Sequence, residues 1–180
     1  DGVGTDHSSV HANLFPLAFN LVPNEYLTQV TGWVVDREMA CSVYAAQYLL
    51  EGLFRNDAGE KALKLITAPT DRSWRHMVES GTTISWEAWD LRYKSNQDWN
   101  HAWGAAPANL LPRFVLGAQP LVPGWERTLI RPHTGELTFS EGKIPTPRGA
   151  IQVSWKRGST FSLKLSLPDG VSAKDELPAA

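Results

Sequence analysis

At Gly117 the chain changes its periodicity, and that change constrains the fold more than any other feature of the sequence. Before it, apolar residues recur at helical spacing; after it, they alternate with polar ones in short runs cut by prolines. From Ser9 to about Phe19 the residues Val10, Leu14, Leu17, Ala18 and Leu21 follow a helix, with Pro16 expected to bend or interrupt it. A second helix is expected from Tyr26 to about Asp36, with Gly32 weakening its middle. Met39, Val43, Ala46, Leu50, Leu53 and Phe54 mark a third. Asp57, with Glu60 three residues on, is placed to cap a fourth that runs to about Thr67. Pro69-Thr70-Asp71 opens a shorter helix through Trp74 and Met77 that stops at Ser80-Gly81. Short turns between these segments imply antiparallel hairpins. His101 to about Val115 reads as one more helix, with Ala105, Ala108, Leu111, Phe114 and Val115 as its apolar stripe.

Beyond Gly117 the runs Thr128–Arg131, Ala150–Trp155 and Thr160–Leu167 read as strands of an antiparallel sheet with one wet face. The expected architecture is therefore mainly α with β: helical hairpins over 1–116, then a β-rich domain over 117–180.

A chain of 180 residues with 42% hydrophobic residues can build one substantial core or two small ones. Its formal net charge of -2 gives no electrostatic footprint for nucleic acid or an anionic membrane, so a neutral partner such as a glycan fits better. No stretch approaches the roughly 20 apolar residues of a membrane span. The single cysteine, Cys41, excludes an internal disulfide and reads as a buried thiol. The compartment stays open, with a periplasmic or extracellular location favoured over a cytoplasmic one.

Of 8 tryptophans, Trp86, Trp89, Trp99 and Trp103 crowd into the segment that follows the fifth helix, a density that suits a lined cleft or a bulky core. Among them lies Gly81-Thr82-Thr83-Ile84-Ser85-Trp86-Glu87-Ala88-Trp89-Asp90. Indole faces cover the C–H face of a sugar ring, and a fixed carboxylate handles a proton or a water. Partial desolvation between indoles would raise the pKa of Glu87 and suit a general acid or base. The alternative is that Glu87 pairs with Arg92, Arg113 or a backbone amide and braces a turn. His101 could face the same cleft and bond a sugar hydroxyl, or serve as a cap or core residue. Thr82 and Thr83 either present polar groups to a ligand or satisfy their own turn. His7 and His11 have the i,i+4 spacing of a metal pair without an obvious third ligand, and no cofactor is expected. Nucleophilic serine or cysteine motifs and phosphate-binding glycine loops are absent; Gly2-Val3-Gly4 follows no strand.

Several stretches together resemble the C-terminal part of bacterial-type α-L-rhamnosidases. They are Ser9-Val10-His11-Ala12-Asn13, Tyr48-Leu49-Leu50-Glu51-Gly52-Leu53, Ser73-Trp74-Arg75-His76-Met77, the Thr-Thr-Ile-Ser-Trp-Glu-Ala-Trp block, and Asn100-His101-Ala102-Trp103-Gly104. Gly117-Ala118-Gln119-Pro120 and Thr146–Trp155 continue the match. The family comprises inverting glycosidases with an (α/α)6 barrel followed by a small β-sandwich. The resemblance implies that 1–116 is the C-terminal half of such a six-hairpin barrel and 117–180 an incomplete β-sandwich. It implies that Glu87 is the general base, that His101 contacts rhamnose, and that Trp86, Trp89 and Trp103 line the pocket. A rhamnose-containing glycan or glycoside is the implied partner, together with the remainder of the barrel upstream. The family's general acid lies in an earlier Asp/Glu-rich motif that these residues do not contain, and an inverting enzyme needs two carboxyls about 6.5 to 9.5 Å apart. Twelve helices of ordinary length do not fit in 1–116, so a fragment lacking hydrolytic activity by itself is expected. Rival expectations are a barrel hydrolase or lyase for another sugar, a non-catalytic carbohydrate-binding segment, and a helical scaffold, the last disfavoured because no period repeats.

Overall fold

The computed structural model describes residues 8–178, so His7 lies outside the described residues. The chain divides into two compact units, 1–107 and 108–180.

The first unit holds five helices: α1 (Val10–Ala18), α2 (Asn24–Asp36), α3 (Val43–Arg55), α4 (Gly59–Ile66) and α5 (Trp74–Glu79). Serine hydroxyls start three of them: Ser9 Oγ accepts from Ala12 N at 3.1 Å, Ser42 from Ala45 N at 3.2 Å, and Ser73 from His76 N at 3.0 Å. Each satisfies one of the amides that a first turn leaves without an intrahelical partner. Two expected starts move. The N-cap of α4 is Ala58, one residue beyond Asp57, whose own backbone is left-handed at a φ of +58°. α5 starts after Ser73, whose hydroxyl also donates to Ala68 and Thr70 carbonyls, rather than at Pro69-Thr70-Asp71. α1 continues through Pro16 to Ala18, and α2 runs unbroken past Gly32.

The core of this unit lies where α1 packs on α3, with Leu14 and Leu17 of α1 and Leu49, Leu50 and Leu53 of α3 each almost fully buried. Burying such a side chain contributes about 1.5–3 kcal/mol. Gly52 permits the close approach: a Cβ there would stand 3.2 Å from both Ala18 N and Leu17 Cγ. None of the described helices is long and apolar enough to cross a membrane.

The expected helix from His101 to Val115 is three pieces: a 3-10 turn at Ala102–Gly104, a short α6 (Ala106–Leu110), and a π-helical turn at Leu111–Val115. Pro107 and Pro112 lack the N–H groups a continuous ladder requires, and Leu116 N instead reaches Leu111 O at 2.8 Å. The π-turn belongs to the second unit, where Val115 O accepts the Trp155 indole N–H at 3.0 Å and Phe114 O accepts His133 N at 2.8 Å.

That unit is an antiparallel-rich β region of two three-stranded sheets. β3 (Phe139–Thr146), β4 (Gly149–Arg157) and β5 (Phe161–Ser166) form an antiparallel meander with Trp155 opposite Ser140 and Leu163. Ile151, Val153 and Trp155 face inward while Gln152 faces water, the expected alternation. The other sheet orders β1 (Ala118–Pro120), β2 (Arg127–Ile130) and β6 (Ser172–Asp175), and β6 pairs with β2 in parallel, so the β region is not one antiparallel sheet. A parallel pair requires a long crossover, which the intervening meander supplies.

Candidate active site

Residues 81 to 104 form the loop that carries the expected site. Gly81, at a φ of +85°, ends α5, and the amides of Gly81 and Thr82 close its last carbonyls at Val78 and Met77. Thr82 Oγ1 bonds Ile84 within its own turn, so this hydroxyl serves the backbone. The two arms of the loop are then laced together. His101 N donates to Ser85 O at 2.9 Å, Ser85 Oγ to His101 O at 3.0 Å, Glu87 N to Asp98 O at 3.0 Å, and Ala88 N to Gln97 Oε1 at 3.2 Å. Gly104 is required where this ladder meets the 3-10 turn, since a Cβ would lie 2.7 Å from Trp86 O.

This lacing brings Glu87 and His101 to one place. Glu87 Oε1 accepts from Lys94 Nζ in a short ion pair, and Oε2 accepts from Asp98 N at 3.0 Å. The Asp98 carboxylate in turn lies 3.5 Å from His101 Nδ1. The Lys94 ammonium, then the Asp98 amide, hold the Glu87 carboxyl below the usual glutamate range, against the opposing push of desolvation. The expected upward shift is therefore overturned: an ammonium and a backbone amide bond the carboxyl directly, and together they outweigh desolvation. Of the partners expected for a brace, a backbone amide is present at Asp98, whereas Arg92 pairs with Asp71 and Asp90, and Arg113 bonds Asn109.

The His101 imidazole makes no capping bond at the 3-10 turn and packs on Trp103 with ring centroids 4.0 Å apart. Trp103 is 43% exposed and also meets Tyr44 at 5.1 Å. The tryptophans divide by role. Trp86 is buried edge-on against Trp99 at 4.8 Å, and its indole N–H has no hydrogen-bond partner among the described residues. Trp89 is buried against Trp74 and donates to Cys41 O at 2.7 Å. The Cys41 thiol is buried as expected, which pushes its pKa up to about 12.

Lys94, Gln97 and Tyr44 belong to the site or its border and were not singled out from sequence. They sit in an irregular loop or at a distant helix start, where no spacing marks them. Asp90 is engaged elsewhere, accepting from Arg92 N at 3.0 Å and meeting His76 Nε2 at 2.8 Å. His11 lies on the exposed side of α1 with its ring 6.2 Å from Phe15. Among the described residues no group of three His, Cys, Asp or Glu could hold a metal ion.

Two family models match the chain: the bacterial alpha-L-rhamnosidase six-hairpin glycosidase domain over residues 1–115 and the bacterial alpha-L-rhamnosidase C-terminal domain over 117–180. An alpha-L-rhamnosidase of Alteromonas sp. (strain LOR) is 28% identical over 93% of this chain, and one of Streptomyces avermitilis is 24% identical over the same share. Among solved structures, the alpha-L-rhamnosidase of Dictyoglumus thermophilum superposes with a TM-score of 0.84 at 24% identity, covering 93% of this chain and 20% of that one. The Aspergillus terreus enzyme gives 0.86 at 22% identity, over 96% and 22%. These superpositions establish the fold. The chain spans about a fifth of the curated relatives, 20% and 18% of their lengths. By the match of both family models, end to end along its helical and β parts, the chain belongs to the bacterial alpha-L-rhamnosidase family.

Proposed function

We propose that the polypeptide carrying these residues is an inverting α-L-rhamnosidase that releases terminal rhamnose, with Glu87 as the base that activates water. The observation that carries this reading is a carboxylate held below the ordinary glutamate range by its partners in the same loop as His101, whose ring packs on the half-exposed Trp103. An inverting base must be anionic when the substrate arrives, and a pKa below the ordinary glutamate range keeps it so through neutral and mildly acidic pH. Each carboxylate oxygen offers about two lone-pair sites, so a water can still donate to Glu87 beside Lys94 and Asp98. In this reading His101 bonds a rhamnose hydroxyl, Trp103 covers the apolar sugar face, and buried Trp86 and Trp89 fix the loop behind the base. Residues 1–116 supply the C-terminal half of the barrel, 117–180 the β domain, and the general acid comes from elsewhere in the polypeptide. Asp90, tied to His76 and Arg92 with its pKa lowered, is unsuited to donate a proton.

The test is Glu87→Gln in the full-length polypeptide, assayed on an aryl rhamnoside. Turnover should fall about 10²–10⁴-fold while rhamnose binding persists; near-normal turnover would sink the assignment. A lyase acting on a uronide is the second reading, favoured by the basic Lys94 beside the base. Lys94 is engaged by Glu87 itself, which favours hydrolysis, and an unsaturated product would decide for the lyase.

A further inference from the structure

We infer that Lys94 is the positioning residue of the base: it fixes the plane of the Glu87 carboxylate so that one oxygen edge faces the attacking water. This rests on the reading of Glu87 as the base.

The loop builds a two-sided clamp on one carboxylate. Its far arm gives a backbone donor, Asp98 N, to Oε2 at 3.0 Å, and the turn between the arms gives a side-chain donor, Lys94 Nζ, to Oε1. The backbone of the same two arms is already locked by Glu87 N to Asp98 O and Ala88 N to Gln97 Oε1. With the Cα fixed by that lacing, the freedom left to Glu87 lies in its side-chain torsions, and two donors on two different oxygens remove it. The Asp98 amide alone permits the carboxylate to swing about a single hydrogen bond; Lys94 provides the second anchor. Lys94 is 41% exposed at its side chain, whereas Glu87 is 15% exposed, so the lysine reaches the base from the solvent side. Among the described residues, the charged and titratable side chains acting on the Glu87 carboxyl are Lys94 and His101; Asp98 gives it a backbone amide, and the Asp98 carboxylate lies 3.5 Å from His101 Nδ1. Lys94 is bonded directly to the carboxylate; His101 acts on it at longer range.

A clamp of this kind matters because misplacing a reacting group by an ångström costs about 100-fold in rate. Removing Lys94 should therefore act on kcat rather than on substrate affinity. It should also release the carboxyl toward its ordinary pKa, so the acid limb of the kcat/KM profile moves to higher pH.

The experiment compares wild type, Glu87→Gln, Lys94→Gln and Lys94→Arg in the full-length polypeptide on an aryl rhamnoside. Lys94→Gln should lower kcat about 10- to 100-fold with KM little changed and shift the acid limb upward, and Lys94→Arg should recover most of both. If Glu87→Gln is inactive while Lys94→Gln keeps the wild-type rate and acid limb, the Lys94 inference fails alone. Near-normal turnover of Glu87→Gln instead removes the base assignment and this inference with it. Should Lys94→Gln fail to fold, the wild-type profile decides: an acid limb below the ordinary glutamate range supports the clamp, and one at or above it overturns it.

Discussion

His76 and Asp90 show how the residues around Glu87 are committed to holding the loop. The Arg92 amide and the His76 imidazole, with the Arg92 guanidinium, lower the Asp90 pKa against the push of desolvation. A carboxyl whose folded pKa lies below its unfolded value contributes stability above the unfolded pKa and loses it as pH falls through the folded one. Asp90→Asn should therefore destabilise the protein at neutral pH, and the gap to wild type should close on acidification below the usual Asp range. Urea unfolding across that range measures it; a gap independent of pH would contradict the assignment. At this scale the sequence marks Glu87 and His101 by the Trp-Glu and Asn-His pairs. It does not mark Lys94, which reaches Glu87 only because an irregular loop folds back. The direction of the Glu87 pKa is misread for the same reason: neighbours in sequence are indoles, whereas the neighbours in space are an ammonium and an amide.

α1 and α3 are the most legible helices of the first unit because packing and capping agree there: a 3.6-residue apolar period begins after a serine whose hydroxyl takes a first-turn amide. The segment from His101 to Val115 is misread as one helix because its apolar stripe keeps the period while Gly104, Pro107 and Pro112 break the ladder beneath it. β6 escapes sequence reading because all four of its residues are exposed and carry no apolar alternation. Gly104 joins the 3-10 turn to the candidate site, since its missing side chain lets that turn press on Ser85 and Trp86, immediately before Glu87. Gly104→Ala would place a Cβ 2.7 Å from Trp86 O and 2.9 Å from Ser85 Cβ. Overpacking of this kind costs about 1–3 kcal/mol. A loss in that range by denaturant unfolding is expected, with turnover of the full-length polypeptide falling beyond what lost stability explains. An unchanged rate would mean that the ladder does not position Glu87.

For the whole chain, the helical unit leaves a face that its own residues do not cover. Phe19 is 56% and Tyr44 48% exposed, and Phe15, Phe19 and Tyr44 all pack around Tyr48 at 5.2–6.0 Å. A contiguous apolar patch of this kind is uncommon on a free monomer and marks a surface that meets another partner. The chain spans about a fifth of its curated relatives, and in the proposed reading further hairpins of the same barrel cover this face and bring the general acid. Two outcomes follow from one cause. Expressed alone, the 180 residues should hydrolyse an aryl rhamnoside little or not at all, because a base without an acid leaves the departing oxygen unprotonated. They should also bind a hydrophobic dye such as anilinonaphthalene sulfonate more strongly, residue for residue, than the full-length polypeptide does. Turnover by the chain alone comparable with that of the full-length polypeptide would place both carboxyls within these residues and refute the division of the catalytic pair. Weak dye binding together with absent turnover would keep the missing acid but reject the aromatic face as the seam of the barrel.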